Sequence, residues 1–340
     1  MLNLPHGFDP KALACYLLAA IPELSGQMHL QRIGGGQSNP TFFVRFDRGP
    51  ELVLRKQPLG ELLKSAHAID REYRIQQALR QTGFPVPSVL LYCNDWTVIG
   101  TPFYVMERLY GRVISDYALE GVNAHERRAY LLELAETLAR LHALDWAAIG
   151  LADYGRPGNF FERQITRWTK QWHASKLTDS DDMDLLMAWL PSQIPLGDET
   201  TIAHGDYRLG NVMFHPTQPK IIAVLDWELS TLGHPLADAA YSSLAWTTDR
   251  DVFEGLRDMD LAQAGLPSQS EYLDHYQRCS GREPVQPFHI VFSLFRFAAI
   301  LEGISARVRS GNAAGEDATQ VGALSSRFSR YAVSIVRAEG

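Results

Sequence analysis

The reading starts from I-A-H-G-D-Y-R-L-G-N-V-M-F-H-P, residues 202–216, with its sequel A-V-L-D-W-E at 223–228. The first stretch sets His204, Asp206 and Asn211 in a short polar turn. Asp226 closes the apolar run Ile221 to Leu225. The segments Asn211 to Phe214 and Ile221 to Leu225 read as a hairpin joined by the Pro216 to Lys220 turn. Such a hairpin carries Asp206 and Asn211 into it and Asp226 out of it along one edge. Two carboxylates and an amide oxygen at one spot suit a hard cation such as Mg2+, with one carboxylate left to handle a proton.

The pattern H-x-D-x-x-x-x-N followed by D resembles the catalytic core of kinase-like phosphotransferases. It departs from protein kinases in reading H-G-D-Y for H-R-D-L and Asp226-Trp227-Glu228 for D-F-G, and in lacking A-P-E. H-G-D with D-W-E looks like the aminoglycoside phosphotransferase and choline kinase family, which phosphorylates small-molecule hydroxyls. Within it, HGDYRLGNVMFHP and LDWELSTLGHPLADAAY look most like the kinase-like domains fused to acyl-CoA dehydrogenases. The resemblance covers nearly the whole chain, from about residue 30 to about residue 310. It implies an α+β, bilobal, protein-kinase-like fold. A small nucleotide-binding lobe of antiparallel sheet plus helix, with a leading helix, is expected over residues 1–108. A larger, mainly helical lobe with the catalytic loop and acceptor site is expected over 109–340.

The same resemblance assigns roles residue by residue, with ATP and Mg2+ as cofactors. Asp206 takes the acceptor's proton, and Arg208 beside it bridges parts of the catalytic loop. Asn211 and Asp226 hold Mg2+, with Glu228 as a further metal or water contact. His204 fixes the loop by hydrogen bonding, and Asp238, in L-G-H-P-L-A-D-A-A-Y, braces it. The glycines at 34–36 form a turn where backbone amides can approach an anion. By residue type alone a plain glycine-rich hairpin turn is the better reading; its place before E-L-V-L-R-K, which is the kinase order, makes it a phosphate loop, with Gly35, Gly36, Ser38 and Asn39 nearest the phosphates. The cation for those phosphates comes from Glu51 to Lys56. Strand alternation puts Val53 and Arg55 on one face and Leu52, Leu54 and Lys56 on the other, which selects Arg55 over Lys56. Glu72 stands where the family has the helix glutamate that pairs with this cation. Glu107 and Leu109 fall in the segment that contacts adenine through its backbone.

Periodicity supplies the rest of the architecture. Residues 9–24 read as a helix with Asp9 as N-cap and Pro10 at its first position. Ala66 to Thr82 reads as a second helix, Val89 to Cys93 as a strand, and Phe103 to Met106 as a fully buried one. Ala124 to Leu144 carries a stripe of Leu131, Leu134, Leu138 and Leu141, followed by a structural His142. Phe161, Ile165, Trp168 and Trp172 recur at helical spacing as core, or as a wall of the acceptor site. The acidic run Asp179 to Asp184 reads as an exposed loop able to attract a polycation. Phe292 to Arg309 is the most apolar part of a helical remainder.

Composition sets limits on the function. With 46% apolar and 21% charged residues the chain has the makings of a globular protein. A net charge of -7 argues against nucleic-acid or anionic-membrane surfaces as partners. The first residues lack a secretion pattern, and apolar stretches such as Ala12 to Ile21 read as too short for a bilayer. Cys15, Cys93 and Cys279 have neither zinc nor disulfide spacing; they read as buried small hydrophobes in a reducing cytoplasm. The expected partner is a small-molecule hydroxyl acceptor: an aminoglycoside, choline or a hydroxyacyl-CoA. A homodimer and a functional link to an acyl-CoA dehydrogenase are further expectations. The contrasting class is a degenerate kinase that serves as a nucleotide- or partner-binding module.

Overall fold

Apolar residues alternate along Phe42, Val44 and Phe46 and again at Leu52 and Leu54, which produces strands with one buried face. Beyond residue 112 the period lengthens to that of helices. The structure is a computed structural model and describes residues 7–34, 39–59, 68–309 and 318–339. The chain divides into two compact units, 1–111 with 222–228 and 112–221 with 229–340.

In the first unit the elements run α1 (Pro10–Ala20), β1 (Ser25–Arg32), β2 (Thr41–Arg48), β3 (Leu52–Lys56), α2 (Ile69–Arg80), β4 (Val89–Cys93), α3 (Trp96–Ile99) and β5 (Phe103–Glu107). The strands form one antiparallel sheet in the order β1-β2-β3-β5-β4. Helix α1 begins as its sequence requires: Asp9 accepts from the Lys11 N–H at 2.9 Å and Pro10 follows at the first position. Leu13 and Leu17 of α1 pack in one cluster with Phe42, Val44, Leu52, Leu54, Phe103 and Val105. The opposite sheet face carries Arg55 opposite Tyr104 in the β3–β5 register. Helix α2 meets that face, since Gln76 donates to the Tyr104 hydroxyl at 3.0 Å. The segment 222–228 joins this unit through the Val224 N–H, which donates to the Pro85 carbonyl, and through Trp227 edge-on to Phe84.

The second unit contains α4 (Ala124–His142), α5 (Phe160–Ser175), α6 (Asp181–Ser192), β6 (Thr201–Ala203), β7 (Val212–Phe214), β8 (Ile221–Val224, crossing into the first unit), β9 (Thr231–Gly233), α7 (Pro235–Ser242), α8 (Leu261–Ala264), α9 (Gln269–Ser280), α10 (Pro287–Arg309), α11 (Ala318–Gly322) and α12 (Ser325–Glu339). The hairpin read from the sequence is present: β7 and β8 form a two-stranded sheet, and the His215 N–H closes the turn on the Lys220 carbonyl at 2.8 Å. Helix α10 supplies much of the core, with Val291, Leu294, Phe295 and Ala298 packed among α5, α6, α7 and α12. The aromatic stripe resolves as core packing for Phe161, Ile165 and Trp172, while Trp168 is only partly buried.

Three expectations need correction. The acidic run is no loop: Ser180 caps α6, accepting from the Met183 N–H at 3.3 Å, and Asp181, Asp182 and Asp184 occupy its first turn. Carboxylates there face the positive end of the helix dipole, which gives the run a structural cause. Cys93 is buried, but Cys15 and Cys279 are exposed. Among the described residues, α10 is long and apolar enough to cross a bilayer, contrary to the sequence reading, but 67% of its apolar window is buried inside the protein. Its apolarity is that of a core helix.

The core also contains a pH-sensitive pair. The His234 and His289 rings stack at 6.0 Å. Their Nδ1 atoms accept backbone N–H groups, from Leu236 at 3.3 Å and Gln286 at 2.9 Å. Burial pushes both imidazoles down to about 4, and for His289 the neighbouring His234 adds to it. A histidine depressed when folded favours the fold fully above its unfolded value, about 6.5, and that advantage shrinks as pH falls toward the folded value. For His289, 1% exposed, the slope approaches about 1.4 kcal/mol per pH unit in this window. The melting temperature is therefore expected to fall between pH 6.5 and 4, less steeply in His234→Asn/His289→Asn. Equal slopes in variant and wild type would exclude these rings as the cause.

Candidate active site

Strand β6 ends at Ala203 and the chain turns through His204, Gly205 and Asp206. The turn is held from behind by Asp238, in the first turn of α7 and 2% exposed. Its two carboxylate oxygens accept the backbone N–H groups of His204 at 2.6 Å and Gly205 at 3.0 Å. Burial alone would push this carboxyl up; the His142 ring and the charge-assisted bonds hold it below its ordinary value. The His142 ring has its own pKa lowered by burial. Its Nδ1 lies 2.7 Å from the Tyr276 hydroxyl and its Nε2 3.7 Å from Asp238, too far for a hydrogen bond. Gly205 has φ +82°, and a Cβ there would lie 2.6 Å from the Leu229 carbonyl oxygen, so only glycine fits this tight turn.

The clamp presents Asp206 outward, with 23% of its side chain accessible. Oδ1 accepts from the Tyr241 hydroxyl at 2.5 Å, and Oδ2 accepts from Asn211 Nδ2 at 2.7 Å. Arg208 Nε lies 3.6 Å from Oδ2, an ion pair that keeps the guanidinium charged despite burial. His204, fully buried, accepts the Asp206 N–H on Nδ1 at 3.2 Å. It is thus a loop-fixing group, as its place in the motif suggests. Asn211 directs its amide nitrogen to Asp206, also bonding its backbone carbonyl at 2.9 Å, which leaves the amide oxygen as the ligand-type atom.

The first unit gathers a second set. Arg55 Nε lies 2.7 Å from Glu72 Oε2, its N–H off the hydrogen-bond direction, so the contact is an ion pair. The Arg55 terminal nitrogen donates to Asp226 Oδ1 at 2.6 Å and lies 3.8 Å from Glu228. Burial opposes the guanidinium charge, but these carboxylates outweigh it and raise the pKa. Glu72, 1% exposed, has its carboxyl pushed up by burial, Arg55 pulling the other way. Asn39, placed near the phosphates by the sequence reading, donates its amide to Glu72 at 2.5 Å. Lys56 points to the other face of β3, near the Phe8 ring at 5.8 Å, and burial pushes it down to about 8. Strand alternation therefore decides between the two cations. Asp226 has φ +64°, a left-handed backbone that aspartate tolerates better than most residues. Glu107 uses its carboxylate to accept the Ser88 N–H at 2.7 Å, and Leu109 is half-buried. Gly35, Gly36 and Ser38 lie outside the described residues.

The sequence reading did not assign two contacts of this site, leaving open whether Arg296 faces the cleft or pairs with a carboxylate. Tyr241 stands three residues after Asp238 on α7, and that helical spacing was the available signal. Arg296 of α10 donates to the Gly205 carbonyl at 2.7 Å, which no local pattern announces. Beside the loop opens a cavity of about 240 Å3, whose lining includes Tyr117, Arg208, Tyr241, Phe253, Glu254 and Phe297.

A sheet unit with a buried arginine–glutamate pair and a helical unit with a clamped aspartate loop belong to the α+β, kinase-like fold. The profile of the phosphotransferase enzyme family, APH, matches residues 29–286, and the chain belongs to that family. Mouse acyl-CoA dehydrogenase family member 10 is 42% identical over 321 residues, 93% of this chain and 30% of that protein. Human acyl-CoA dehydrogenase family member 11 is 41% identical over 321 residues, 92% of this chain and 41% of that protein. The chain thus spans less than half of these curated relatives. A crystal structure from Ralstonia eutropha, provisionally named an aminoglycoside phosphotransferase, is 41% identical with TM-score 0.88, covering 97% of this chain and 98% of that one. A thermostable mutant of aminoglycoside phosphotransferase APH(4)-Ia, in ternary complex with AMP-PNP and hygromycin B, shares the fold at 16% identity and TM-score 0.60, over 94% of this chain and 98% of that one.

Proposed function

We propose that the protein is an ATP- and Mg2+-dependent phosphotransferase that moves the γ-phosphate to a hydroxyl of a small molecule. The observation that carries this reading is Asp206: a carboxylate aimed outward from a loop whose backbone is clamped by a buried charge. Phosphoryl transfer asks a protein chiefly for positioning and charge neutralisation. Asp206 accepts the acceptor's proton as the new oxygen–phosphorus bond forms and the bond to the departing ADP breaks. Arg55, aligned by Glu72, neutralises the non-transferred phosphates; Gly35, Gly36 and Ser38, outside the described residues, are assigned to them by the sequence motif alone. Glu107 and Leu109 lie where backbone groups contact adenine.

The donor types in each unit are ones that Mg2+ takes. Asn211 and Asp206 in one unit, and Asp226 and Glu228 in the other, offer hard oxygens with no thiolate among them. When bound, the metal supplies charge neutralisation for the phosphates; Asn211 and Asp226 would hold it, with Glu228 as a further contact. The ternary complex of the APH(4)-Ia neighbour with AMP-PNP supports ATP as the donor.

The cavity beside Asp206 supports an acceptor with an apolar body. Aromatic rings make up much of its wall, and among the described residues Glu254 is the one carboxylate of its lining, a poor match for a polycationic aminoglycoside. The lining suits the apolar body of a hydroxyacyl thioester better than an aminoglycoside, and the relatives named as acyl-CoA dehydrogenase family members favour that chemistry over choline.

The test is thermal stabilisation by ATP with and without Mg2+, comparing wild type with Asp226→Asn, a substitute that tolerates the left-handed backbone. Saturation at about a hundred times Kd is expected to add about 2.7 kcal/mol, seen as a shift of a few degrees that needs Mg2+ and shrinks in the variant. No shift at millimolar nucleotide would refute the reading and leave a partner-binding module. A positive shift leads to an acceptor screen over hydroxyacyl-CoA thioesters, choline and hygromycin B.

A further inference from the structure

Tyr241 has two ends with different surroundings. Its hydroxyl meets Asp206 Oδ1, while its ring lines the cavity edge-on to Phe297 at 6.0 Å. The Arg296 guanidinium covers that ring at 5.6 Å and is itself fixed by the Gly205 carbonyl. Asn211 holds the other oxygen of the same carboxylate. A carboxylate tethered by one donor can swing about its Cβ–Cγ bond; donors on both oxygens stop the rotation. Burial and the charge of Asp206 keep the phenol protonated, so it donates and does not compete for a proton.

We propose that Tyr241 is a positioning residue for Asp206: its hydroxyl sets the rotation of the base, and its ring sets the wall against which the acceptor hydroxyl is presented. This rests on the reading of Asp206 as the base. A packing role alone would need only the ring. The arrangement couples the cavity to the base through one side chain, so an acceptor that displaces the ring also misaligns the carboxylate.

The experiment measures ADP release from saturating Mg·ATP with water as the acceptor, in wild type, Tyr241→Phe, Asp206→Asn and the double variant. Tyr241→Phe keeps the ring and removes only the hydroxyl. Its kcat is expected to fall about 10- to 100-fold, the usual effect of losing a group that orients a reacting one. KM for Mg·ATP is expected to stay within about twofold, since Tyr241 works through a group that takes the proton. On the Asp206→Asn background the same change is expected to have no further effect, because no base remains there for the hydroxyl to align. Every rate is taken at a temperature where circular dichroism shows the variants fully folded, so a lowered melting temperature does not mimic a loss of alignment. Wild-type kcat in Tyr241→Phe, or an undiminished effect on the Asp206→Asn background, overturns the assignment and leaves Asp206 in place. Wild-type rates in Asp206→Asn, or no ADP from the wild type, remove the phosphotransfer reading itself and the assignment with it.

Discussion

Replacing Asp206 with asparagine lowers phosphoryl transfer from Mg·ATP by about 10²- to 10⁴-fold, the range of a positioned general base. The substitution keeps an oxygen that can accept from the Tyr241 hydroxyl, so the side chain stays in place while its basicity disappears. The new amide nitrogen would face Asn211 Nδ2, a donor against a donor. Asp206→Ala has no such conflict, and both variants are expected to lose rate. Nucleotide-induced stabilisation is expected to survive, because the cation–carboxylate cluster of Arg55, Glu72 and Asp226 is built from other residues. A variant that turns over like wild type would remove Asp206 as the base. A variant that loses ATP-induced stabilisation as well would make it a binding residue.

Asp238→Ala produces the largest loss of stability among single changes near the site. Two backbone N–H groups, of His204 and Gly205, lose their acceptor inside the protein. Each buried unsatisfied donor costs about 1–3 kcal/mol, and bonds to a charge lie toward the upper end. The summed effect is about 3–5 kcal/mol, or about 4–7 °C in melting temperature for a chain of this size. The sign with pH follows from a carboxyl held below its ordinary value. Its contribution is complete above the unfolded value, about 3.9, and is lost only as pH falls through the lower folded value. At neutral pH the whole difference is therefore visible. Asp238→Asn retains one acceptor oxygen and is expected to lie between the two. Wild-type melting in Asp238→Ala would show that water replaces the carboxylate and that the clamp is dispensable.

Much of this chain could be read from local rules. The H-G-D turn needs glycine because a side chain at 205 would collide with the Leu229 carbonyl, and the aspartate follows directly on that turn. Arg55 rather than Lys56 meets Glu72 because successive side chains on a strand point to opposite faces, a rule independent of anything distant. Asp9 and Pro10 start the first helix by backbone geometry alone. The acidic residues of α6 obeyed an equally local rule; Ser180 was the missed cap.

Tertiary structure decided what depends on residues far apart in the chain. Asp238 lies 34 positions from His204, and Arg296 lies 91 from Gly205. Nothing in the spacing of either pair fixes the direction of a side chain. Helix α10 shows the same limit in reverse, since its composition fits a bilayer as well as a core and only the elements packed around it decide. By itself the sequence determined the kinase-like pattern and singled out Asp206 as the candidate base, because the motif that carries both lies within a short stretch of chain. The cavity, the tyrosine that joins it to Asp206, and the two backbone N–H groups that Asp238 takes in bracing the loop were decided only by packing, which brings distant side chains to one place.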